Sequence, residues 1–86
     1  PAAFAGGSVA LDCAAADAAL AGLGAEIGLD TTATALGIRE LANENMASAA
    51  RVHAAERGVE PDRLALVVTG GGGPLHGGEV ARKLGI

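Results

Sequence analysis

Apolar residues recur every three or four positions in the first third of the chain. This spacing places them on one side of an α-helix. Asp12 is a suitable N-terminal cap and Gly28 a suitable stop, so we predict a helix from Asp12 to about Ile27. The predicted apolar stripe comprises Ala16, Leu20, Leu23 and Ile27. Before this helix, Pro1 to Val9 is predicted to be a loop or a short extended piece.

A second, longer helix is predicted to follow. Asp30 or Thr31 is expected to cap it, and it should reach about Arg57 because Gly58 stops it. The stripe predicted to be buried is Ile38, Leu41, Asn45, Ala49 and Val52, with Ala42, Met46 and His53 beside it. Asn45 is then a polar amide on an apolar face and needs hydrogen-bond partners. It turns either toward a ligand or, as most such amides do, toward neighbouring backbone.

The next pattern is a continuous apolar run, Leu64 to Val68, which predicts a β-strand buried on both faces. Four glycines follow, Gly70 to Gly73, and Pro74 lies in the first turn of a last helix that reaches about Leu84. Glycines let the backbone lie close to a ligand, and a helix N-terminus favours anions. The loop is therefore either an anion site or a tight packing turn. It matches neither the GxxxxGK[ST] nor the GxGxxG motif.

The order of these elements is helix, long helix, strand, glycine turn and helix. It predicts one part of an α/β domain in which helices pack on a sheet. A lone parallel strand leaves its backbone N–H and C=O groups unpaired. We therefore expect the 86 residues to be a single fragment of a larger domain, with the rest of the parent chain as its partner.

Charge and composition exclude several classes of partner. The formal net charge is −4, and Phe4 is the only aromatic residue. Without a basic stripe or a stacking platform, no nucleic-acid binding is expected. Cys13 is the only cysteine, so neither a disulfide framework nor a zinc cluster is predicted. No apolar segment reaches the ~18 residues of a membrane span, so no membrane partner is expected and the composition fits the cytoplasm.

The two histidines differ in their surroundings. His76 lies two residues after Pro74, in the first turn of the last predicted helix. It can contact a ligand at the helix end or serve as a capping or packing residue, and both interpretations stay open. A helix N-terminus disfavours an imidazolium, so a neutral ring is expected there. His53 has no partner at metal-ligand spacing and is predicted to be structural.

With these residues in view, the chain resembles the hydantoinase A/oxoprolinase family, which includes ATP-dependent cyclic-amide hydrolases and the related acetone carboxylase subunit. The family pattern is a helix with an N-x-N-M-A-like segment, then E-R-G-x-x-P, a strand, and G-G-x-G-P-L-H. The matching residues are Asn43, Asn45, Met46, Ala47, Glu56, Arg57, Gly58, Gly70, Gly71, Gly73, Pro74, Leu75 and His76. Thr69 and Gly72 depart from it, because the family often has a large apolar residue and an alanine there.

The resemblance implies a fold similar to the actin/sugar-kinase/heat-shock-ATPase domain, with nucleotide held between two lobes. It implies that Gly70, Gly71, Gly72 and Gly73 line the nucleotide cleft, with His76 close by. Asn45, on the adjoining helix, is predicted to join these nucleotide-binding residues. ATP and Mg²⁺ are the implied cofactors. Their metal ligands are expected outside these 86 residues, and no catalytic residue is assigned.

On this resemblance the chain is the nucleotide-facing segment of an ATP-dependent hydrolase of cyclic amides such as hydantoins or 5-oxoproline. ATP would activate the amide oxygen by phosphorylation, and the segment alone is expected to be inactive. A second hydantoinase-type subunit is a candidate partner, since the family commonly pairs with one. The alternative is a non-catalytic α/β interaction module in which the glycine run is only a structural turn.

Overall fold

The computed structural model describes the backbone of residues 3–86 and the side chains from residue 6 onward. Residues 1 and 2, at the start of the predicted loop, lie outside this range. The helices and strands are β1 (Ala3–Phe4), β2 (Val9–Ala10), α1 (Cys13–Ile27), α2 (Thr31–Glu56) and α3 (Gly73–Leu84). Short 3-10 turns cover Ala5–Gly7 and Pro61–Arg63. The chain divides into two compact units, Pro1–Arg39 and Glu40–Ile86.

The first unit begins with a small antiparallel hairpin. Ala3 pairs with Ala10 and Phe4 pairs with Val9. Gly6 and Gly7 have φ values of 68° and 87° and so supply the left-handed backbone of the connecting turn. The described part of the predicted loop is therefore a hairpin with two-residue strands.

Helix α1 has the predicted caps, but its apolar stripe is largely exposed. Asp12 Oδ1 accepts a hydrogen bond from the Ala15 N–H at 2.9 Å, and Gly28 ends the helix with φ 75°. Leu23 and Ile27 of the predicted stripe are 41% and 57% exposed, whereas Gly24 is the buried residue of this helix. The prediction of the helix ends is confirmed, whereas the apolar stripe is not the buried face of this helix.

Gly24 is buried because the turn into α2 lies directly against it. A Cβ at this position would stand 2.6 Å from Thr34 Oγ1 and would also meet the Leu29 carbonyl oxygen. The same turn is held by Asp30, whose Oδ1 accepts from the Ala33 N–H at 2.7 Å and whose carbonyl accepts from Thr34 Oγ1 at 2.7 Å. Asp30, one of the two residues predicted to cap α2, is therefore its N-terminal cap.

In the second unit α2 buries a face of small residues. Asn43, Ala47 and Ala54 are buried and Ala50 is half-buried, and Ala47 and Ala50 pack with Val80 and Leu84 of α3. These four α2 positions are four, three and four residues apart and so share one side of the helix. Leu41 and Val52 of the predicted stripe are 62% and 58% exposed. The helix is confirmed, but its predicted buried face is wrong.

The predicted α/β fold, and with it the actin/sugar-kinase/heat-shock-ATPase-like domain, is wrong for this structure. Residues 3–86 form three α-helices, and their only sheet is the two-stranded hairpin. Leu64 to Val68 has the composition of a strand but forms no strand ladder in the described chain. Branched apolar residues favour extended backbone, yet a strand also needs a paired neighbour. Here the segment is apposed to a helix, because Val68 lies against Gly73 and Gly77 of α3.

Helix α3 begins at Gly73 and ends at Leu84, with Pro74 in its first turn as predicted. Gly85 ends it with φ 79°, and its N–H donates to the carbonyls of Ala81 and Arg82. None of the described helices combines the length and the apolar character needed to cross a membrane.

Candidate functional site

A groove in the second unit adjoins the glycine loop. Its volume is about 390 Å³, within the range of small-molecule sites. The lining residues come from α2, from the extended segment (residues 64–69), from the end of the glycine loop and from α3: Met46, Leu66, Val67, Val68, Thr69, Gly72, Gly73, His76, Gly77 and Val80. The groove therefore has mainly apolar walls, with glycine backbone, the Thr69 hydroxyl and the His76 imidazole available for polar contacts.

The glycine loop leaves its side of the groove open. Gly70 has φ 82°, a left-handed conformation that other residues rarely adopt. Gly72 is the N-terminal cap residue of α3 with φ −88°, and no side chain of the described residues caps the helix there. A Cβ on Gly72 would meet nothing within 4 Å. Gly70, Gly71 and Gly72 are exposed and Gly73 is half-buried, so a ligand can approach the loop backbone.

Two glycines of α3 have a packing role. A Cβ on Gly73 would stand 2.9 Å from Val68 Cγ1, and one on Gly77 would stand 2.6 Å from Val68 Cγ2. These distances are shorter than any ordinary carbon–carbon contact. Gly73 and Gly77 thus allow the extended segment to lie against α3, whereas Gly72 has free space in front of it.

His76 contacts a buried amide at the edge of this groove. Its Nδ1 lies 2.6 Å from Oδ1 of Asn43, which comes from α2 and is 1% exposed. His76 itself is half-buried. The contact fixes the orientation of the ring at the groove, because its Nδ1 is engaged and the imidazole is planar.

The structure does not bring Asn45 into the same place. Asn45 is exposed on α2 and is not a lining residue of the groove. The inference that it is buried rested on the stripe Ile38, Leu41, Asn45, Ala49 and Val52, and that face is not the buried one. Asn43, two residues earlier, is the buried amide that sequence reasoning missed. The signal was available in the spacing of Asn43 with the small residues Ala47, Ala50 and Ala54.

A network of charged side chains joins α2 to the C-terminal end of α3. Lys83 Nζ binds Glu44 Oε2 at 3.0 Å and also binds Glu40, and Arg51 donates to Glu44 at 3.3 Å and to the Lys83 carbonyl at 2.9 Å. Hydrogen bonds from Lys83 and then Arg51 lower the pKa of Glu44. Hydrogen bonds to Glu40 and then Glu44 raise the pKa of Lys83. These groups neutralise one another and therefore serve the packing of the unit.

The other candidate residues lie away from the groove. His53 accepts a hydrogen bond at Nε2 from Arg57 Nε at 2.9 Å, an exposed contact along α2. Cys13 is an exposed free thiol. Among the described residues, no cluster of three or more His, Cys, Asp or Glu side chains could hold a metal ion.

Comparisons with known proteins identify the family. An uncharacterized protein of Methanocaldococcus jannaschii is 42% identical over 71 residues, which are 83% of this chain and 10% of that relative. The chain thus spans about a tenth of the length of this curated relative. No solved structure matches the chain significantly. The family described as hydantoinase/oxoprolinase matches residues 1–86, and the chain therefore belongs to the hydantoinase/oxoprolinase family.

Proposed function

We propose that this chain is the segment of a hydantoinase/oxoprolinase-type hydrolase that contacts nucleotide. Family membership supports a hydrolase, and the groove supports the more specific role. The observation that carries the proposal is that Gly72 and Gly73, at the end of the glycine loop, line the same groove as His76, although Gly70 and Gly71 do not.

The loop suits the phosphate end of a nucleotide. Backbone N–H groups at a helix N-terminus favour anions, and the free space in front of Gly72 lets phosphate oxygens approach the backbone. The apolar wall formed by Leu66 to Val68 and Met46 suits the uncharged part of the ligand. His76 supplies a polar contact between these regions.

The described residues offer contacts for ATP but no cluster of ligands for Mg²⁺. The glycine loop can hold phosphate, but no described cluster of residues can hold the metal, so its ligands would come from elsewhere in the protein. ATP, when bound, would supply the phosphoryl group that activates an amide oxygen. The residues of this chain would bind and orient the nucleotide, and the proposed substrates are cyclic amides such as hydantoins or 5-oxoproline.

Replacing Gly72 by valine in the intact protein tests the proposal. Since a Cβ there meets nothing within 4 Å and φ is −88°, the fold should accept valine, while the branched side chain fills the space that a phosphate needs. The matched control is Gly78→Val, also exposed with open space around it but within α3. We expect Mg²⁺-ADP affinity to fall at least about tenfold, or about 1.4 kcal/mol, in the first variant alone.

The measurement is calorimetric titration with Mg²⁺-ADP, with circular dichroism to show that both variants fold. Unchanged affinity in a folded Gly72→Val protein would mean that the loop is a packing turn. That result would favour the interaction module over the nucleotide-binding segment.

A further inference from the structure

We infer that Asn43 is a positioning residue that holds His76 as the Nδ1-protonated tautomer, so that Nε2 offers a lone pair to a hydrogen-bond donor of the ligand. The inference rests on the proposed function only for the identity of that ligand. The tautomer itself follows from the contact between α2 and α3.

The first step is the chemistry of the contact. An amide oxygen has lone pairs and no proton, so it can only accept a hydrogen bond. Asn43 Oδ1 lies 2.6 Å from His76 Nδ1, and the imidazole must therefore donate from Nδ1. A neutral imidazole carries one N–H, so Nε2 is left as an acceptor.

The second step is the strength of this constraint. Asn43 is 1% exposed, so water cannot readily replace the imidazole as partner of its amide. With Oδ1 of Asn43 facing the ring, as in this structure, the reversed tautomer would place two acceptors against each other, and a buried acceptor without a donor is strongly disfavoured. The reversed tautomer would require the buried amide to turn its Nδ2 toward the ring. The ring is therefore set before any ligand arrives.

The third step is the consequence for the groove. His76 is one of its lining residues, and the other side chains that line it are apolar apart from Thr69. An acceptor in apolar surroundings selects ligands that present a neutral N–H or O–H group and disfavours those that present only acceptors. Three parts of the proposed ligands have this chemistry: the ribose hydroxyls and the adenine amino group of a nucleotide, and the ring N–H of a cyclic amide.

The tautomer can be read directly in the intact protein labelled with ¹⁵N-histidine. Two-bond ¹H–¹⁵N correlations at alkaline pH distinguish protonation at Nδ1 from protonation at Nε2, and the His76→Asn variant assigns the signal. We expect the Nδ1-protonated pattern in the unaltered protein. An Nε2-protonated His76 would overturn the inference without any variant, whether or not nucleotide binds.

Variants of Asn43 then test whether this residue sets the tautomer of His76. Asn43→Asp keeps an oxygen acceptor and should retain the pattern, whereas Asn43→Ala should release the ring to the Nε2-protonated form that free imidazole prefers. Asn45→Ala, on the exposed surface of the same helix, should change nothing. His53 is an internal control, because its own contact is with Arg57. An Asn43→Ala spectrum identical to that of the unaltered protein would overturn the positioning role.

Pairs of ligands that differ in one hydrogen-bond donor identify the group that donates to His76 Nε2. The first arm compares ADP with 2′,3′-dideoxy-ADP, the second compares ADP with N6,N6-dimethyl-ADP, and the third compares hydantoin with its N-methylated derivatives. In one arm the unaltered protein should prefer the donor-bearing ligand by about 3- to 10-fold, and His76→Asn should lose that preference because it keeps a group facing Asn43 but lacks Nε2. Equal affinities in all three arms would refute donor recognition. Failure of Mg²⁺-ADP to bind at all would instead count against the proposed function.

Discussion

Val68 occupies the space that a side chain at position 77 would need. A Cβ built on Gly77 stands 2.6 Å from Cγ2 and 3.2 Å from Cγ1 of Val68. The extended segment and α3 therefore approach each other closely at Gly77, as at Gly73, because only a hydrogen atom projects between them there. This contact forms one side of the groove, so the stability of the site depends on it.

Gly77→Ala should accordingly be less stable than Gly78→Ala. Both substitutions gain about 1 kcal/mol of helix propensity, but only the Gly77 variant forces Val68 to move, and such overpacking costs about 1–3 kcal/mol. Denaturant unfolding of the two variants measures the difference. Adding Val68→Ala to Gly77→Ala should remove most of it, and equal stabilities of the two single variants would contradict the contact.

Two glycines of α1 provide a second matched pair. A Cβ on Gly24 would meet Thr34 Oγ1 and the backbone oxygen of Leu29, whereas one on Gly22 would meet nothing within 4 Å. We expect Gly22→Ala to stabilise the protein by about 1 kcal/mol and Gly24→Ala to destabilise it by about 1–3 kcal/mol. Thermal unfolding midpoints test both. A stabilising Gly24→Ala would show that the turn between α1 and α2 is looser than described.

The buried amide of Asn43 should contribute more to the free energy of unfolding than the exposed amide of Asn45. Asn43→Ala removes the hydrogen-bond partner of His76 Nδ1 and should cost about 1–3 kcal/mol of unfolding free energy. Asn45→Ala changes an exposed position and should stay within about 0.5 kcal/mol of the unaltered protein. Urea titrations of the two variants give the comparison, and a larger effect at Asn45 would reverse the assignment of the buried face of α2.

The ion pairs of Lys83 make a prediction about pH. Because the pKa of Glu44 is lowered below its ordinary 4.5, its contribution to stability is present above pH 4.5 and is lost as the pH falls through the lowered value. The pKa of Lys83 is raised above 10.5, so its contribution is present below pH 10.5 and is lost as the pH rises through the raised value.

Lys83→Met should therefore weaken the dependence of stability on pH at both extremes. Arg82→Met is the control, since Arg82 pairs with Glu79 along the exposed surface of α3 and should leave the acid dependence attributed to Glu44 in place. Unfolding free energies over a pH series measure both variants. An unchanged acid dependence in Lys83→Met would mean that Glu44 is not held by the lysine.

The sequence allowed the helix ends to be predicted because their signals are local. Asp12, Gly28 and Asp30 act within a few residues of themselves, and the structure places them as expected. The buried face of α2 was predicted wrongly, because the size of the apolar side chains alone does not say which face of a helix meets a neighbour. On α2 the face with Ala47 and Ala54 is buried, since small side chains allow α3 to come close.

The strand and the site illustrate the same limit. Leu64 to Val68 has strand composition, but it lies against α3 and has no paired strand among the described residues, and its own composition does not show this. His76 and the glycine loop could be selected as candidates from their neighbours in the sequence. The burial of Asn43 could have been inferred from its spacing with the small residues of α2, but its pairing with His76 could not, because the two residues lie 33 positions apart in the chain.

That separation makes the His76 imidazole an internal reporter of side-chain order. Each helix can form from local signals, but the ring meets the amide only when α2 and α3 are docked in one arrangement. A loosened, molten-globule-like state would keep its helical far-ultraviolet circular dichroism while the imidazole sampled both tautomers. The chemistry of a single ring would thus distinguish a chain that is merely helical from one whose groove is assembled.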